Sequence, residues 1–327
     1  MPADADPGRW SPYAFTIKSG DPTPLTESGA VAVQDEGSQL AAIALSRAQV
    51  EPSASQDDAG QNDDGRSSSG LRSANRSDAG QNDDGRSNGE AERWLDMCAG
   101  PGGKSRLLYG LASIRGARLT AAELHPHRAT LVGDALAGAR RSVAAQLPPF
   151  EVLVADATKP PWPEGTFDRV LVDAPCSGLG ALRRRPEARW RKSETDLKEL
   201  TGLQRDLLRS ALTAVRPGGV VAYVTCSPVP AETSEVVTEV AASMPGIEIL
   251  DAPAVLSEVP GVGSADPRFA QLWPHRHGTD AIFVALLRRA QPRQPERAPD
   301  TPSPKMAQPE RAKIGQPERE DRQRQAT

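Results

Sequence analysis

The chain has 327 residues, including 30 prolines and 28 glycines, and a net charge of −4 at pH 7. The hydrophobic fraction of 38% is too low for a chain that folds from end to end, so we expect segments outside any core. The negative charge argues against a protein that binds nucleic acid over its whole surface, because such binding would need a local basic patch. The sequence has no membrane-length apolar run and no signal-peptide pattern, which predicts a cytoplasmic protein without membrane contact.

The first 50 residues are expected to form an arm and one helix. Residues 1–33 hold scattered proline and glycine with few apolar side chains, which favours an arm lying over a neighbouring surface. Residues 39–45 are rich in alanine and leucine and are expected to form a helix, with Ser38 near its cap.

Two segments are predicted to be disordered. Residues 51–92 are dominated by small polar residues, and the decamer at 58–67 recurs word for word at 78–87. Polar decamers of this kind cannot form a core, and they lack the ligand spacing of a calcium-binding EF-hand loop. The tail at 291–327 repeats Gln-Pro-Glu-Arg at 294, 308 and 316 without apolar periodicity.

The domain predicted at 93–290 is organised around an apolar strand, a glycine-rich turn at Gly100-Pro101-Gly102-Gly103 and a following helix. Such a turn lets a ligand approach the backbone at a helix N-terminus. A P-loop needs glycine where Cys98 stands, and the dinucleotide fingerprint needs Gly or Ala where Ser105 stands. What remains is a Rossmann-like nucleoside site with Asp96 near a ribose or amino-acid group, or a turn that only closes a sheet.

Beyond this turn, apolar runs alternate with helical patterns, which predicts an α/β fold with a doubly wound, mostly parallel sheet. The predicted strands are 94–98, 118–123, 152–156, 168–176, 220–226, 247–250 and 281–287. The predicted helices include 126–139, a long helix that is capped by Ser193 and ended by residues 216–219, and 231–243.

Acids and thiols fall at the ends of the predicted strands. Ligands of an open α/β sheet bind beyond the carboxyl ends of its strands, so these side chains are expected to converge on one cleft. Each alone has a simpler explanation, because a buried cysteine is often a small hydrophobe and a strand-end acid often caps the next helix. The residues concerned are Cys98, Glu123, Asp156, Asp173, Cys176 and Cys226.

The three cysteines form no C-x-x-C pair and are odd in number, which disfavours a disulfide framework or a zinc ribbon and favours free thiols. His275 and His277 have no third ligand nearby, so a structural or substrate-loop role is favoured and no metal is predicted.

A basic segment follows the second cysteine. Its guanidinium groups could neutralise phosphates and its tryptophan could stack on an unpaired base, and the alternative is a solvated basic turn. The candidate RNA-binding residues are Arg183, Arg184, Arg185, Arg189 and Trp190.

Several motifs stand in order along residues 8–289, apart from the linker. They are 33–40, Met97-Cys98-Ala99-Gly100-Pro101-Gly102-Gly103-Lys104-Ser105, Asp173-Ala174-Pro175-Cys176, Thr225-Cys226-Ser227 and 274–280. Together they resemble those of the bacterial Sun/Fmu (RsmB) family of ribosomal RNA cytosine-5 methyltransferases. The paired Pro-Cys and Thr-Cys motifs are the most specific, because cytosine-5 enzymes that act on DNA are expected to lack the second.

The resemblance implies the fold of a class I S-adenosylmethionine-dependent methyltransferase, with S-adenosyl-L-methionine as cofactor. It implies that Cys226 attacks cytosine, that Cys176 assists product release and that Asp173 faces the cytosine edge or the cofactor. The implied cofactor-binding residues are Cys98, Ala99, Gly100, Pro101, Gly102, Gly103 and Lys104 at the methionine part, Glu123 at the ribose, Asp156 near the adenine, and Asp173.

The implied substrate is RNA, most directly small-subunit (16S) ribosomal RNA, acted on by a monomer through a covalent Cys226–cytosine adduct. The alternatives are the same reaction on transfer RNA, and a truncated, catalytically idle RNA-binding module. Members of this family usually carry an N-terminal helical domain resembling the antitermination factor NusB, which we do not expect in this sequence. Glu232-Thr233 stands where the family often has Glu-Asn, so any contact made by that Asn is not expected.

Overall fold

A mostly parallel β-sheet forms the centre of the fold. The computed structural model describes residues 4–52, 91–142, 147–190 and 193–292. The strands are β1 (Ala5–Pro7), β2 (Phe15–Ile17), β3 (Arg93–Asp96), β4 (Arg118–Glu123), β5 (Phe150–Val154), β6 (Phe167–Asp173), β7 (Val215–Thr225), β8 (Ile247–Leu250), β9 (Ala270–Gln271) and β10 (Phe283–Arg289). The helices are α1 (Thr23–Glu27), α2 (Glu36–Arg47), α3 (Gly103–Ile114), α4 (Pro126–Arg141), α5 (Glu194–Ala214), α6 (Ser234–Ser243), α7 (Ala252–Val255) and α8 (Pro274–His277), with short 3₁₀ helices at Leu179–Ala181, Pro186–Trp190 and Pro230–Glu232.

The strand order of the large sheet is β5-β4-β3-β6-β7-β10-β8, with β9 beside β10. Strands β3 to β7 are parallel, whereas β10 is antiparallel to both β7 and β8. The chain proceeds outward from β3 through β4 to β5 and then returns to β6 on the other side of β3. This reversal confirms the predicted doubly wound α/β fold and creates a crevice between β3 and β6.

Both faces of the sheet are covered, which is why its strands appear in the sequence as continuous apolar runs. Trp94 and Leu171 belong to the core cluster that the sheet shares with α2, α3 and α4. Their neighbours Leu95 and Val170 belong to the cluster shared with α5 and α6. Successive residues of one strand therefore pack against the helices on opposite faces of the sheet.

The predicted strand ends extend too far. β3, β5 and β6 end at Asp96, Val154 and Asp173, two or three residues before the predicted ends. The apolar pattern continues into loop residues that are themselves buried, such as Met97 and Ala174. The pattern therefore does not mark where the hydrogen bonding between strands ends.

Other boundaries also differ from prediction. Helix α2 begins at Glu36, before the predicted start at Gln39, because Asp35 caps it by accepting a hydrogen bond from Gly37 N at 3.0 Å; Ser38 lies near this cap, as predicted. Residues 216–219 belong to β7, where the register with β6 shifts, instead of only ending α5. The predicted helix at 231–243 is interrupted at Thr233. The Ser193 cap is confirmed, because its Oγ accepts from Asp196 N at 3.2 Å.

The N-terminal arm contains an antiparallel pair, β1 with β2, followed by α1. Trp10 fastens this arm to the folded unit, since its Nε1 donates to His277 O at 2.8 Å and its backbone N donates to Glu36 at 2.5 Å.

The predicted linker at 51–92 lies mostly outside the described residues, as do the tail beyond residue 292, Arg191 and Lys192. The two flanks of the linker are fixed near the amino-terminal ends of the strands. Glu51 N donates to Gly218 O at 2.9 Å, and Glu92 O accepts from Arg118 N at 2.8 Å. In the described part of the chain, no helix combines the length and apolarity needed to cross a membrane.

A buried ion pair joins the segments on either side of residues 53–90. Arg169 on β6 donates through Nε to Glu92 at 2.9 Å and through Nη1 to Leu45 O at 2.8 Å. A further bond from Nη1 reaches Ala48 O at 2.5 Å, and the guanidinium lies 5.3 Å from the ring centroid of Trp94. Arg169 therefore donates hydrogen bonds both to the carbonyls at the end of α2, which lack partners within the helix, and to the Glu92 carboxylate.

Replacing Arg169 by methionine should lower the free energy of unfolding by about 3–5 kcal/mol, because Glu92 would keep a buried charge without its partner. Urea denaturation followed by circular dichroism measures this change. Arg209→Met is the control: its ion pair with Asp206 is exposed, and its loss should cost less than about 1 kcal/mol. Equal destabilisation by the two substitutions would contradict the importance assigned to Arg169.

Candidate active site

A cavity of about 730 Å³ opens where β3, β4, β5, β6 and β7 end. This is the crevice created by the reversal of strand order, where ligands of open α/β sheets bind. Its walls bring together six of the residues singled out in the sequence, namely Cys98, Glu123, Asp156, Asp173, Cys176 and Cys226. The predicted convergence of strand-end acids and thiols on one cleft is thus observed.

The glycine-rich turn forms one wall of this cavity. Gly102 has a φ of 107°, and a Cβ there would lie 2.9 Å from the Ala135 side chain, so only glycine fits without a shift. The turn is tied to the sheet by Ala99 N, which donates to Ala122 O at 3.0 Å. Cys98, Gly100 and Pro101 line the cavity.

Glu123, at the end of β4, holds the turn in place. Its buried carboxylate accepts from Gly100 N and from His125 N, each at 3.0 Å. Arg128 completes the arrangement by donating to Gly100 O at 2.7 Å and lying 3.5 Å from Glu123. No sequence motif indicated Arg128, because its position on α4 matters only once that helix lies against the turn.

Asp156, which follows β5, is exposed at the cavity wall. Thr158 donates to its carboxylate from Oγ1 at 2.7 Å and from N at 3.0 Å. These hydrogen bonds lower the pKa of Asp156, so the carboxylate stays ionised and available to a ligand.

Lys104 and Asp173 form an ion pair of 2.7 Å beside the cavity, and Lys104 Nζ also lies 3.4 Å from Ser38 Oγ. Burial lowers the pKa of Lys104, but the charge and hydrogen bond of Asp173 outweigh burial, and the pKa is raised overall. Lys104 is therefore a cation at neutral pH. The Ser38 contact brings α2, from the segment before residue 53, to the site.

The sulfur atoms of Cys176 and Cys226 lie 3.3 Å apart as free thiols. The hydrogen bond from Cys176 lowers the pKa of Cys226, and the same bond together with burial raises the pKa of Cys176. Cys226 is thus the more acidic thiol of the pair. Cys98 differs, since burial and then the nearby carboxylates raise its pKa.

A cluster of buried polar side chains lies behind the two thiols. Glu232 accepts from Ser177, Ser227 and Gln204, whose donor atoms lie between 2.5 and 3.2 Å from its carboxylate. In the sequence, Glu232 stands out only as part of a departure from the family motif. The sequence could have indicated Glu232 only as an acidic residue that follows Thr225-Cys226-Ser227 by a few positions and stands at the start of a helix.

The basic segment divides into two parts. Arg183 and Arg184 pair with carboxylates, Arg183 with Asp35 and Asp280 and Arg184 with Asp280. These ion pairs join α2 to the loop before β10.

Arg185 lines the cavity, whereas Arg189 and Trp190 lie on the exposed 3₁₀ helix next to it. The Trp190 side chain is 82% exposed. Their predicted contacts with RNA remain predictions.

His277 has a structural environment. Its Nδ1 accepts from Trp273 N at 2.9 Å, and its Nε2 lies 3.1 Å from Pro260 O. Burial lowers its pKa, which favours the neutral ring that this pattern requires. Within residues 4–52, 91–142, 147–190 and 193–292, no group of three acidic, histidine or cysteine side chains could hold a metal ion.

Comparison with known proteins finds relatives among RNA methyltransferases. Residues 87–288 match the family described as 16S rRNA methyltransferase RsmB/F. The chain is 43% identical over 284 residues to a putative methyltransferase of Mycobacterium tuberculosis, MT1451, a match that covers 86% of this chain and 51% of that protein. It is 33% identical over 199 residues to the probable ribosomal RNA small subunit methyltransferase B of Bacillus subtilis, covering 61% and 43% respectively.

The chain spans about half the length of the curated relatives that it matches. Among solved structures, PH0851 is similar with a TM-score of 0.66 and 26% sequence identity, over 87% of this chain and 53% of that one. A methyltransferase homolog protein from Pyrococcus horikoshii is similar with a TM-score of 0.58 and 20% identity, over 87% of this chain and 78% of that one, and this likeness supports the methyltransferase fold.

Asp96 gives the site a pH-dependent contribution to stability. The side chain is fully buried under the turn and accepts from Ser105 Oγ at 2.7 Å. Burial raises its pKa from 3.8 to about 7. Between pH 3.8 and about pH 7, Asp96 is protonated in the folded protein and ionised in the unfolded chain. The folded state binds the extra proton, so its stability falls as the pH rises through this range.

Asp96→Asn should remove that dependence. The stability of the wild type relative to the variant is expected to fall by about 1.4 kcal/mol per pH unit between about pH 5 and pH 7, and to level off above. Urea denaturation across this range measures the difference. Asp206→Asn, which changes an exposed carboxylate, is the control. A wild-type-to-variant difference that is constant with pH would refute the buried, protonated state of Asp96.

Proposed function

Because the chain belongs to the RsmB/F family of 16S rRNA methyltransferases, we propose that it methylates carbon 5 of a cytosine in small-subunit ribosomal RNA through a covalent Cys226 adduct. The observation that carries this proposal is the thiol pair, whose sulfur atoms lie 3.3 Å apart in the cavity that also contains the strand-end acids. One thiol with a lowered pKa beside another with a raised pKa suits a reaction that needs a nucleophile and a proton donor.

The cofactor is S-adenosylmethionine, which supplies an electrophilic methyl group when it is bound. The donor set fits this group: Glu123 and Asp156 offer carboxylate oxygens to ribose hydroxyls and to the adenine amino group. Leu124, more than half exposed at the cavity, offers an apolar surface to a base. The turn from Cys98 to Gly103, with Lys104 behind it, is proposed to surround the methionine part.

Cytosine must be activated because its carbon 5 is a poor nucleophile. The Cys226 thiolate is proposed to add to carbon 6 while the Lys104–Asp173 pair places a proton on ring nitrogen 3, which makes carbon 5 nucleophilic. Because its pKa is raised, Lys104 carries this proton at neutral pH. Asp173 lines the cavity and is proposed to face the cytosine edge.

Product release needs the carbon–sulfur bond to break again. After methyl transfer a solvent water takes the proton from carbon 5 as a base, and the electron pair of that C–H bond forms the carbon 5–carbon 6 double bond. The bond between carbon 6 and Cys226 then breaks with its electrons on sulfur, and the proton on ring nitrogen 3 returns to the Lys104–Asp173 pair. Cys176 is within hydrogen-bond distance of the departing sulfur, and donation from its thiol stabilises the thiolate that forms.

The RNA is proposed to cross the rim formed by Arg185, Arg189 and Trp190. Arg185 lines the cavity and Trp190 is exposed, which suits phosphate neutralisation and stacking on an unpaired base. Arg183 and Arg184 are expected to contribute less, because their charges are compensated by Asp35 and Asp280. Since its proposed substrate is ribosomal RNA, the protein is proposed to act in the cytoplasm.

Substitution of the two thiols tests the mechanism. Cys226→Ala should abolish transfer of labelled methyl to unmodified small-subunit ribosomal RNA, and Cys176→Ala should accumulate a covalent protein–RNA adduct on a denaturing gel. The double variant is the matched control, since removing Cys226 as well should remove the adduct. Full activity of Cys226→Ala would overturn the proposal.

Bisulfite sequencing of the product identifies the base. A protected cytosine in small-subunit ribosomal RNA supports the proposal. Methylation of transfer RNA alone would show that the substrate is transfer RNA and not ribosomal RNA. Cofactor binding without transfer to any RNA would indicate a catalytically idle RNA-binding module.

Charge reversal tests the RNA rim. The double variant Arg185→Glu, Arg189→Glu should weaken RNA binding and reduce the slope of log affinity against log salt by roughly 0.7 for each phosphate that the protein no longer neutralises. Filter binding at several salt concentrations measures it. Arg115→Glu, at the far end of α3 from the cavity, is the control. An unchanged salt slope in the double variant would indicate a solvated turn.

A further inference from the structure

Glu232 joins the two loops that carry the reactive thiols. It ends the 3₁₀ helix Pro230–Glu232 and is 0% exposed. One loop is held through Ser177, whose N and Oγ donate to the carboxylate at 2.6 and 2.5 Å. The other loop is held through Ser227, whose Oγ donates at 2.6 Å. Ser177 directly follows Cys176 and Ser227 directly follows Cys226, so one carboxylate fixes both neighbours of the thiol pair.

The surroundings of Glu232 are built to hold it. Gln204 on α5 donates to the carboxylate at 3.2 Å and to Pro175 O at 2.8 Å, so it contacts the Cys176 loop as well. Tyr223 on β7 donates to Glu232 O at 2.8 Å. Among the described residues, no lysine or arginine forms an ion pair with Glu232. Hydrogen bonds from neutral donors therefore compensate its burial, and its charge is not cancelled.

That charge acts unequally on the two thiols. The hydrogen bond with Cys226 and burial are the main causes of the raised pKa of Cys176, and the Glu232 carboxylate adds to them. At Cys226 the hydrogen bond from Cys176 is the largest influence and lowers the pKa, while the charges of Asp173 and Lys104 act against each other. Cys226 is therefore the more acidic thiol of the pair.

We propose that Glu232 is a positioning residue for the two-cysteine reaction, which sets the separation and the orientation of the loops that carry Cys176 and Cys226. The inference rests on the proposed function, because it assigns those thiols their roles in catalysis. Glu232 does not line the cavity, and it acts through the serines that follow each cysteine. Its replacement should therefore change the chemistry of the thiols while cofactor binding is preserved.

Glu232→Gln keeps the shape of the side chain but replaces one acceptor oxygen by a donor amide. The turnover number for methyl transfer should fall about 10- to 100-fold, the size expected when reacting groups are misplaced by about 1 Å. The KM for S-adenosylmethionine should change by less than about twofold, since loss of a positioning residue does not remove cofactor contacts. Glu235→Gln, an exposed glutamate in the next turn of chain, is the matched control and should leave both values unchanged.

A second readout distinguishes positioning from folding. Iodoacetamide should label Cys226 in preference to Cys176 in the wild type, and mass spectrometry of the peptides gives the ratio. In Glu232→Gln that ratio should fall, because the carboxylate charge that adds to the raised pKa of Cys176 is gone. In Ser227→Ala the carboxylate remains, so the ratio should be preserved while the turnover number falls by a smaller factor.

The outcomes separate this inference from the proposed function. Unchanged turnover and an unchanged labelling ratio in Glu232→Gln overturn the role of Glu232, whatever the RNA substrate is. If the wild type shows no cytosine methylation but the labelling ratio responds to Glu232, the proposed function fails and the loop arrangement stands. If Glu232→Gln does not fold, Ser177→Ala with Ser227→Ala replaces it, and full turnover in that double variant overturns the inference.

Discussion

Parallel pairing of β3, β6 and β7 is the constraint on which the site depends. Parallel strands end at the same edge of a sheet, so the residues that follow each strand meet although they are far apart in sequence. The glycine-rich turn follows β3, the Pro-Cys loop follows β6 and the Thr-Cys loop follows β7. Cys176 and Cys226 are 50 residues apart along the chain, and their sulfur atoms are 3.3 Å apart in space. No local interaction could bring them so close.

Buried charge is then distributed around this edge. Lys104 and Asp173 form a compensated pair, whereas Glu232 is held by neutral donors and keeps an uncompensated charge among the described residues. In a medium of low dielectric such charges act more strongly than they would in water. The hydrogen bond between the two thiols lowers the pKa of Cys226 and raises the pKa of Cys176, and the charge of Glu232 adds to the second effect. The proposed reaction uses the more acidic thiol as its nucleophile. The arrangement costs desolvation free energy, and the hydrogen bonds to Glu232 and the ion pair between Lys104 and Asp173 offset it.

The segment before residue 53 is part of the site as well as part of the core. Asp35 caps α2 and pairs with Arg183, while Ser38 approaches Lys104. At the other end of α2, Arg169 satisfies the last carbonyls and binds Glu92. One helix is therefore fixed at both ends by residues from beyond the segment 53–90. This explains how a polar insertion of such length is compatible with a continuous core.

The sequence by itself determined the alternation of strands and helices, the glycine-rich turn, and the acids and thiols at strand ends, because these depend on local periodicity and backbone conformation. It misplaced the strand ends, since the buried loop residues Met97 and Ala174 extend the apolar pattern, and it started α2 at Gln39 although Asp35 caps the helix one turn earlier. Only the tertiary structure decided that Arg128 supports the turn, that Arg183 and Arg184 are compensated, and that Glu232 joins the two thiol loops. Those contacts join residues from different elements, and a hydrogen bond between distant residues depends on the packing of the elements that carry them, which sequence pattern does not specify.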